Sequence, residues 1–140
     1  MTSKEFLDRP YHIKKKIRYL ELELDRYKTM MNSIPQPSYG SIRVDKTPST
    51  ETPNQRGLEK YYETLEKITE KKKELEQVTN EIITVIDKLE NDNYKMVLNY
   101  RYIDNKSITE VADILFVVLR TAQRWHISAL KEIQKILGEQ

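Results

Sequence analysis

Apolar residues fall at Ile13, Ile17, Leu20, Leu24, Tyr27, Met31 and Ile34, alternating steps of four and three. That spacing lines one face of an α-helix and predicts a coiled-coil seam over residues 1–34. Pro10 is expected in the first turn of this helix, where its missing N–H costs nothing, with Phe6 and Leu7 in a short helical segment ahead of it. The periodicity then stops. Pro35, Pro37, Gly40, Pro48 and Pro53 stand among serines and threonines, and residues 35–56 read as a flexible linker. A second heptad run occupies 57–90, with Leu58, Tyr61, Leu65, Ile68, Lys72, Leu75, Thr79, Ile82, Ile86 and Leu89 on its seam. Each run is about 45 Å long at 1.5 Å per residue, so antiparallel pairing needs only a short crossing, whereas parallel pairing would stretch the linker along a whole helix. A narrow heptad stripe can also be completed by a second chain, which makes a homo-oligomer, a dimer first, an expected partner.

Residues 91–140 carry a different pattern. Glu90-Asn91-Asp92-Asn93 offers capping residues, and Tyr94, Val97, Leu98, Arg101 and Tyr102 follow at helical spacing. Asp104 to Ser107 supply a turn, with Ser107 placed to cap a short helix that reaches Leu115 and buries Ile108, Val111, Ala112 and Leu115. A final helix over Leu119 to Leu137 turns Ala122, Trp125, Ala129, Ile133 and Ile136 inward. Two helices joined so closely form a helix-turn-helix, with small Ala112 at the crossing. The expected architecture is therefore all-α: a long two-helix coiled-coil hairpin followed by a C-terminal helix-turn-helix domain.

Composition narrows the chemistry. The 140 residues carry 24 Lys and Arg against 22 Asp and Glu, a net charge of +2. A surface so nearly neutral cannot bind nucleic acid everywhere, and any such site must be local. The first helical run holds eight basic against five acidic residues and the second six against nine, so opposite charge favours their pairing. The triplets Lys14 to Lys16 and Lys71 to Lys73 read as solvated helix surface. No cysteine is present and the two histidines are far apart, which excludes disulfides and thiolate metal sites and leaves no cofactor or metal expected. With three glycines, no phosphate-cradling loop and no nucleophile motif, an enzyme is not expected. The polar start and the absence of a long apolar run predict a cytoplasmic protein with no membrane partner.

The local basic site falls on the final helix. Arg120, Arg124, Ser128, Lys131 and Lys135 project opposite the inward stripe, with Thr121 and Gln123 at its flanks. Such a helix fits the major groove of double-stranded DNA, where arginine reads guanine, glutamine reads adenine and lysine meets phosphate. The candidate DNA-contact residues are Arg120, Thr121, Gln123, Arg124, Ser128 and Lys131, with Lys135 too late along the helix. Trp125 and His126 belong to packing rather than to base stacking or catalysis.

The segments Tyr100-Arg101-Tyr102-Ile103 and Ser107-Ile108-Thr109-Glu110-Val111-Ala112-Asp113-Ile114-Leu115 resemble region 4 of bacterial sigma-70 factors. Residues Leu119 to His126, with Ala129-Leu130, are similar to the recognition helix of sigma-like regulators encoded by phages, among them the ArpU and RinA-like late-gene activators. The resemblance covers about 50 residues. It implies a transcriptional regulator, an activator of phage late genes that binds promoter DNA or works beside bacterial RNA polymerase. Two departures concern the turn: Phe116 stands where a small residue or glycine is usual, and Val118 where a capping Ser or Thr is usual. Two alternatives stay open, a small-terminase-like DNA-packaging protein and a coiled-coil adaptor that binds no DNA.

Overall fold

Thr2 and Glu5 start the first helix by a reciprocal exchange: the Thr2 hydroxyl accepts from the Glu5 N–H at 3.2 Å, and Glu5 Oε2 accepts from the Thr2 N–H at 3.2 Å. This capping box satisfies two amides that a helix start otherwise leaves unpaired. The computed structural model describes residues 1–32 and 53–138. Among them all regular structure is helical: α1 (Ser3–Asn32), α2 (Pro53–Ile86), α3 (Asp92–Leu98) continued by a π-helical turn (Asn99–Ile103), α4 (Ile108–Ile114) and α5 (Leu119–Gly138). The protein is all-α. No helix among the described residues is long and apolar enough to cross a membrane. Ile34 and most of the expected linker, 35–56, lie outside the described residues, and α2 already begins at Pro53.

The chain divides into two compact units, Met1–Lys15 with Lys73–Gln140, and Lys16–Lys72. The division cuts across the segments read from the sequence, because both long helical runs contribute to each unit.

In the first unit, Phe6 and Leu7 of α1, Ile82, Val85 and Ile86 of α2, Leu89, Leu98 of α3, Tyr102, and Ala129 and Ile133 of α5 form one buried cluster. Burial of large aliphatic side chains of this kind contributes about 1.5–3 kcal/mol each. The start of α1 is also tied to α5, where Gln134 Oε1 accepts from the Ser3 N–H at 2.8 Å. Lys14, expected on a solvated surface, is half-buried and donates through Nζ to the Ile103 carbonyl at 3.1 Å.

Pro10 is not in the first turn. It lies buried inside α1, which runs unbroken from Ser3 and takes in Phe6 and Leu7. A proline there withholds the N–H that would pair with the carbonyl four residues back. That carbonyl belongs to Phe6, and Arg9 Nε donates to it at 3.2 Å. The Arg9 guanidinium also lies 4.4 Å from the Phe6 ring centroid, and its Nη2 is 3.3 Å from Glu81 Oε1. The last contact lacks the alignment of a hydrogen bond and, with Glu81 exposed, adds little.

In the second unit, Ile17 and Leu20 are buried on α1, and Leu24, Tyr27 and Met31 are half-buried, on the face the periodicity picked out. A methyl group placed on Gly57 would meet Met30 Cβ at 3.4 Å, so the last turn of α1 lies beside the start of α2. The face expected for α2 needs correction. Leu58 (41% exposed), Leu65 (38%) and Lys72 are exposed. Tyr61, Ile68, Leu75, Thr79, Ile82 and Ile86 are covered as expected, as is Leu89 just beyond the helix, and Thr64, Lys71, Val78 and Val85 are covered beside them. Two heptad registers overlap along α2, and the second brings polar Thr64 and Lys71 to the covered side. A lysine can occupy such a position because its methylene stem lies along apolar surface.

Candidate functional site

The three short elements that present α5 are each fixed by local chemistry. Asn91 caps α3, its Oδ1 accepting from the Asn93 N–H at 2.9 Å and more weakly from Tyr94 at 3.4 Å. Ser107 caps α4 as expected: its hydroxyl accepts from the Glu110 N–H at 3.2 Å, while Glu110 Oε1 accepts from the Ser107 N–H at 3.4 Å. Val111 and Ala112 of α4 are buried, Ile108 and Leu115 half-buried. Ala112 and Ala122 are both buried, and α4 packs on α5. Small side chains at these two positions let the backbones approach.

The turn from α4 to α5 is a Schellman closure. The Val117 N–H donates to the Ala112 carbonyl at 3.0 Å, and the Phe116 N–H to the Asp113 carbonyl at 3.3 Å. The motif requires left-handed backbone at Phe116, which has φ of 57°, and the ring is 95% exposed. Val118 offers no side-chain cap, but its carbonyl accepts from Thr121 at 3.0 Å and Ala122 at 3.2 Å and so begins α5. The position where the resemblance has a small residue or glycine is left-handed here and held by a phenylalanine.

Helix α5 has two distinct faces. Ala122, Ala129 and Ile133 are buried, and Trp125, His126 and Ile136 half-buried. On the opposite arc Arg120, Gln123, Arg124 and Lys131 are all exposed. Thr121 and Ser128 are half-buried and stand to one side, about 80–100° round from Arg120 at 100° per residue. The sequence-predicted set thus separates into four residues on the outer arc and two on its flank. The one carboxylate among the described α5 residues, Glu132, lies about 120° from Arg120. The arc is therefore cationic and rich in hydrogen-bond donors. Ile127, 54% exposed, sits in the middle of it. Sequence reasoning passed over this residue by treating apolar positions as core, although its spacing of seven from Arg120 assigns it to the outer face.

Behind the arc, Tyr102 and His126 form a polar pair within the core edge. The phenol oxygen and Nε2 are 2.7 Å apart, and the rings lie 5.6 Å apart, tilted by 31°. Burial pushes the Tyr102 phenol up to about 12, with the Asp8 carboxylate adding to the shift and Arg101 opposing it. Burial also lowers His126, helped by Arg101 and Lys4 and opposed by Asp8. Both groups are therefore neutral near pH 7, and the hydrogen bond joins a neutral phenol to a neutral imidazole, its direction set by the imidazole tautomer. The pair fixes the inner face of α5 against the π-helical turn; such turns widen a helix by one residue, and here Tyr102 is buried while Arg101 stays half-buried beside it. Among the described residues no group of three or more His, Asp or Glu is placed to hold a metal ion.

The fold and this face define a small helical protein whose most distinctive surface is one cationic helix arc. Residues 57–134 match the model of DUF1492, a family of proteins of unknown function, and the protein belongs to that family. No curated protein and no solved structure matches the chain.

Proposed function

We propose that the protein binds double-stranded DNA through α4 and α5 as a helix-turn-helix, and regulates transcription in the cytoplasm of a bacterial cell. The observation that carries this reading is the outer arc of α5: Arg120, Gln123, Arg124 and Lys131 exposed together without a carboxylate, on the second of two packed helices joined by a short turn. An α-helix fits the major groove of B-DNA. Arg120, Gln123 and Arg124, near the start of α5, supply the donors that read guanine and adenine edges, while Lys131 meets phosphate. Half-buried Thr121 and Ser128 serve backbone contacts at the groove wall. The resemblance of residues 100–103 and 107–115 to sigma region 4, and of 119–126 to phage-encoded sigma-like regulators, favours an activator that binds promoter DNA or works beside RNA polymerase.

The exposed positions Leu58, Tyr62 and Leu65 on α2 lie four and three residues apart and favour self-association of the regulator. Selection of tight-binding duplexes from a random library by the full-length protein tests the DNA reading. The Arg120→Ala/Arg124→Ala double variant serves as control, with mass measured by light scattering. Enrichment of one sequence by the parent and its loss in the double variant are expected. No enrichment at low salt would favour the adaptor, and a large ring bound to DNA the packaging protein.

A further inference from the structure

We infer that Ile127 is a base-reading residue: it contacts the 5-methyl group of one thymine in the major groove, inside the frame set by Arg120, Gln123, Arg124 and Lys131. The inference rests on the DNA-binding reading above and adds a chemical selectivity that the polar residues cannot provide. Ile127 is 54% exposed, whereas the apolar residues of the inner face on either side of it, Ala122, Ala129 and Ile133, are fully buried. At 100° per residue its side chain points within about 20° of Arg120 and about 40° of Lys131, and lies between Gln123 and Arg124. An isolated surface isoleucine ordinarily needs no account. This one is ringed by three cations and an amide, on an arc whose charge complements a phosphate-walled groove.

Length agrees with the placement. Arg120 and Ile127 are seven residues apart, about 10 Å along the helix at 1.5 Å per residue. That distance is about three steps of duplex at 3.4 Å each. A helix whose first turn meets base edges at Arg120 therefore brings Ile127 over bases about three pairs away. At that point the groove offers hydrogen-bonding groups and one apolar group, the thymine methyl. A branched aliphatic side chain leaves the hydrogen-bonding groups unpaired and gains from the methyl, so its presence selects thymine over the other three bases.

The probe is the duplex enriched by the full-length protein, remade with each thymine in turn replaced by deoxyuridine, which removes the methyl group and nothing else. One replacement should weaken the parent about fourfold, the effect of exposing one methyl-sized group to water. The same replacement should leave Ile127→Ala unchanged and still weaken Arg124→Ala about fourfold. Equal loss at that position in the parent and in Ile127→Ala would overturn the assignment, as would the absence of any sensitive thymine. In both cases the enriched duplex itself would leave the DNA-binding reading standing. Failure to enrich any duplex would remove that reading and this inference together. Far-UV circular dichroism of Ile127→Ala should match the parent, as expected for a residue outside the core.

Discussion

Phe116 carries two costs at one position. Its left-handed φ of 57° presses Cβ against the following carbonyl, roughly 1–2 kcal/mol, and its ring is left in water. Phe116→Gly removes the first cost and no packing, but gains disorder in the unfolded chain worth about 0.5–1 kcal/mol. Urea denaturation should show a net stabilisation of about 0.5–1 kcal/mol for Phe116→Gly and none for Phe116→Ala, which keeps the strain. Tyr102 and His126 make the opposite case, in which two polar groups satisfy each other. Tyr102→Phe leaves Nε2 without its hydrogen-bond partner and should cost about 1 kcal/mol. His126 titrates in the folded state below its ordinary value of 6.5, so its contribution is complete above that value and is lost as pH falls through the folded value. Thermal stability should decline from pH 7 to pH 5 in the parent, and the decline should be shallower in His126→Gln. The turn position at Phe116 was marked in the sequence only by the resemblance, which has a small residue or glycine there. The Tyr102 and His126 pair was not marked at all, since the partners are 24 residues apart and meet only through packing.

At the scale of elements, α1 shows how a local rule is overridden. Proline inside a helix costs about 3 kcal/mol or more, partly through an unpaired carbonyl, yet α1 continues through Pro10 because Arg9 Nε takes the place of the missing N–H at the Phe6 carbonyl. Arg9→Ala should therefore cost about 1–2 kcal/mol. In a Pro10→Ala background, where residue 10 regains its N–H, the same substitution should cost markedly less. A double-mutant cycle in urea measures that coupling, and additive losses would deny Arg9 this role. The helix start was itself written in the sequence as Thr2-Ser3-Lys4-Glu5, a capping pattern repeated at Ser107-Ile108-Thr109-Glu110. On α2 the period was legible, and so was most of its face, but not the exposure of Leu58, Leu65 and Lys72. Both registers contain enough apolar residues to pass as a seam, and only the helix opposite decides which positions are covered.

For the whole molecule, the principal core joins segments from both ends of the chain. Phe6 and Leu7 pack with Ile82, Ile86, Leu98 and Ile133, so the C-terminal helices do not own the core on which they rest. Leu7, fully buried, should cost about 2–5 kcal/mol on substitution by Ala. A fragment of residues 91–140, deprived of Phe6, Leu7 and the end of α2, should show little helix by far-UV circular dichroism and no cooperative melting. The near-neutral net charge bears on binding as well. With Lys131 assigned to phosphate, Lys131→Ala should reduce by about 1 the slope with which the logarithm of duplex affinity falls against the logarithm of salt.

By itself the sequence determined the helical class, the approximate extent of the elements, the cap at Ser107, a capping segment ahead of α3 and the outer arc of α5. Each depends on residues within a turn or two of one another, where spacing and side-chain chemistry act directly on the backbone. Tertiary structure decided the exposure of Leu58, Leu65 and Lys72 on α2, the survival of α1 through Pro10, the alliance of the N-terminus with α5 and the polar pair behind it. Those depend on what lies opposite in space, and burial is settled by the partner surface rather than by any residue's own preference.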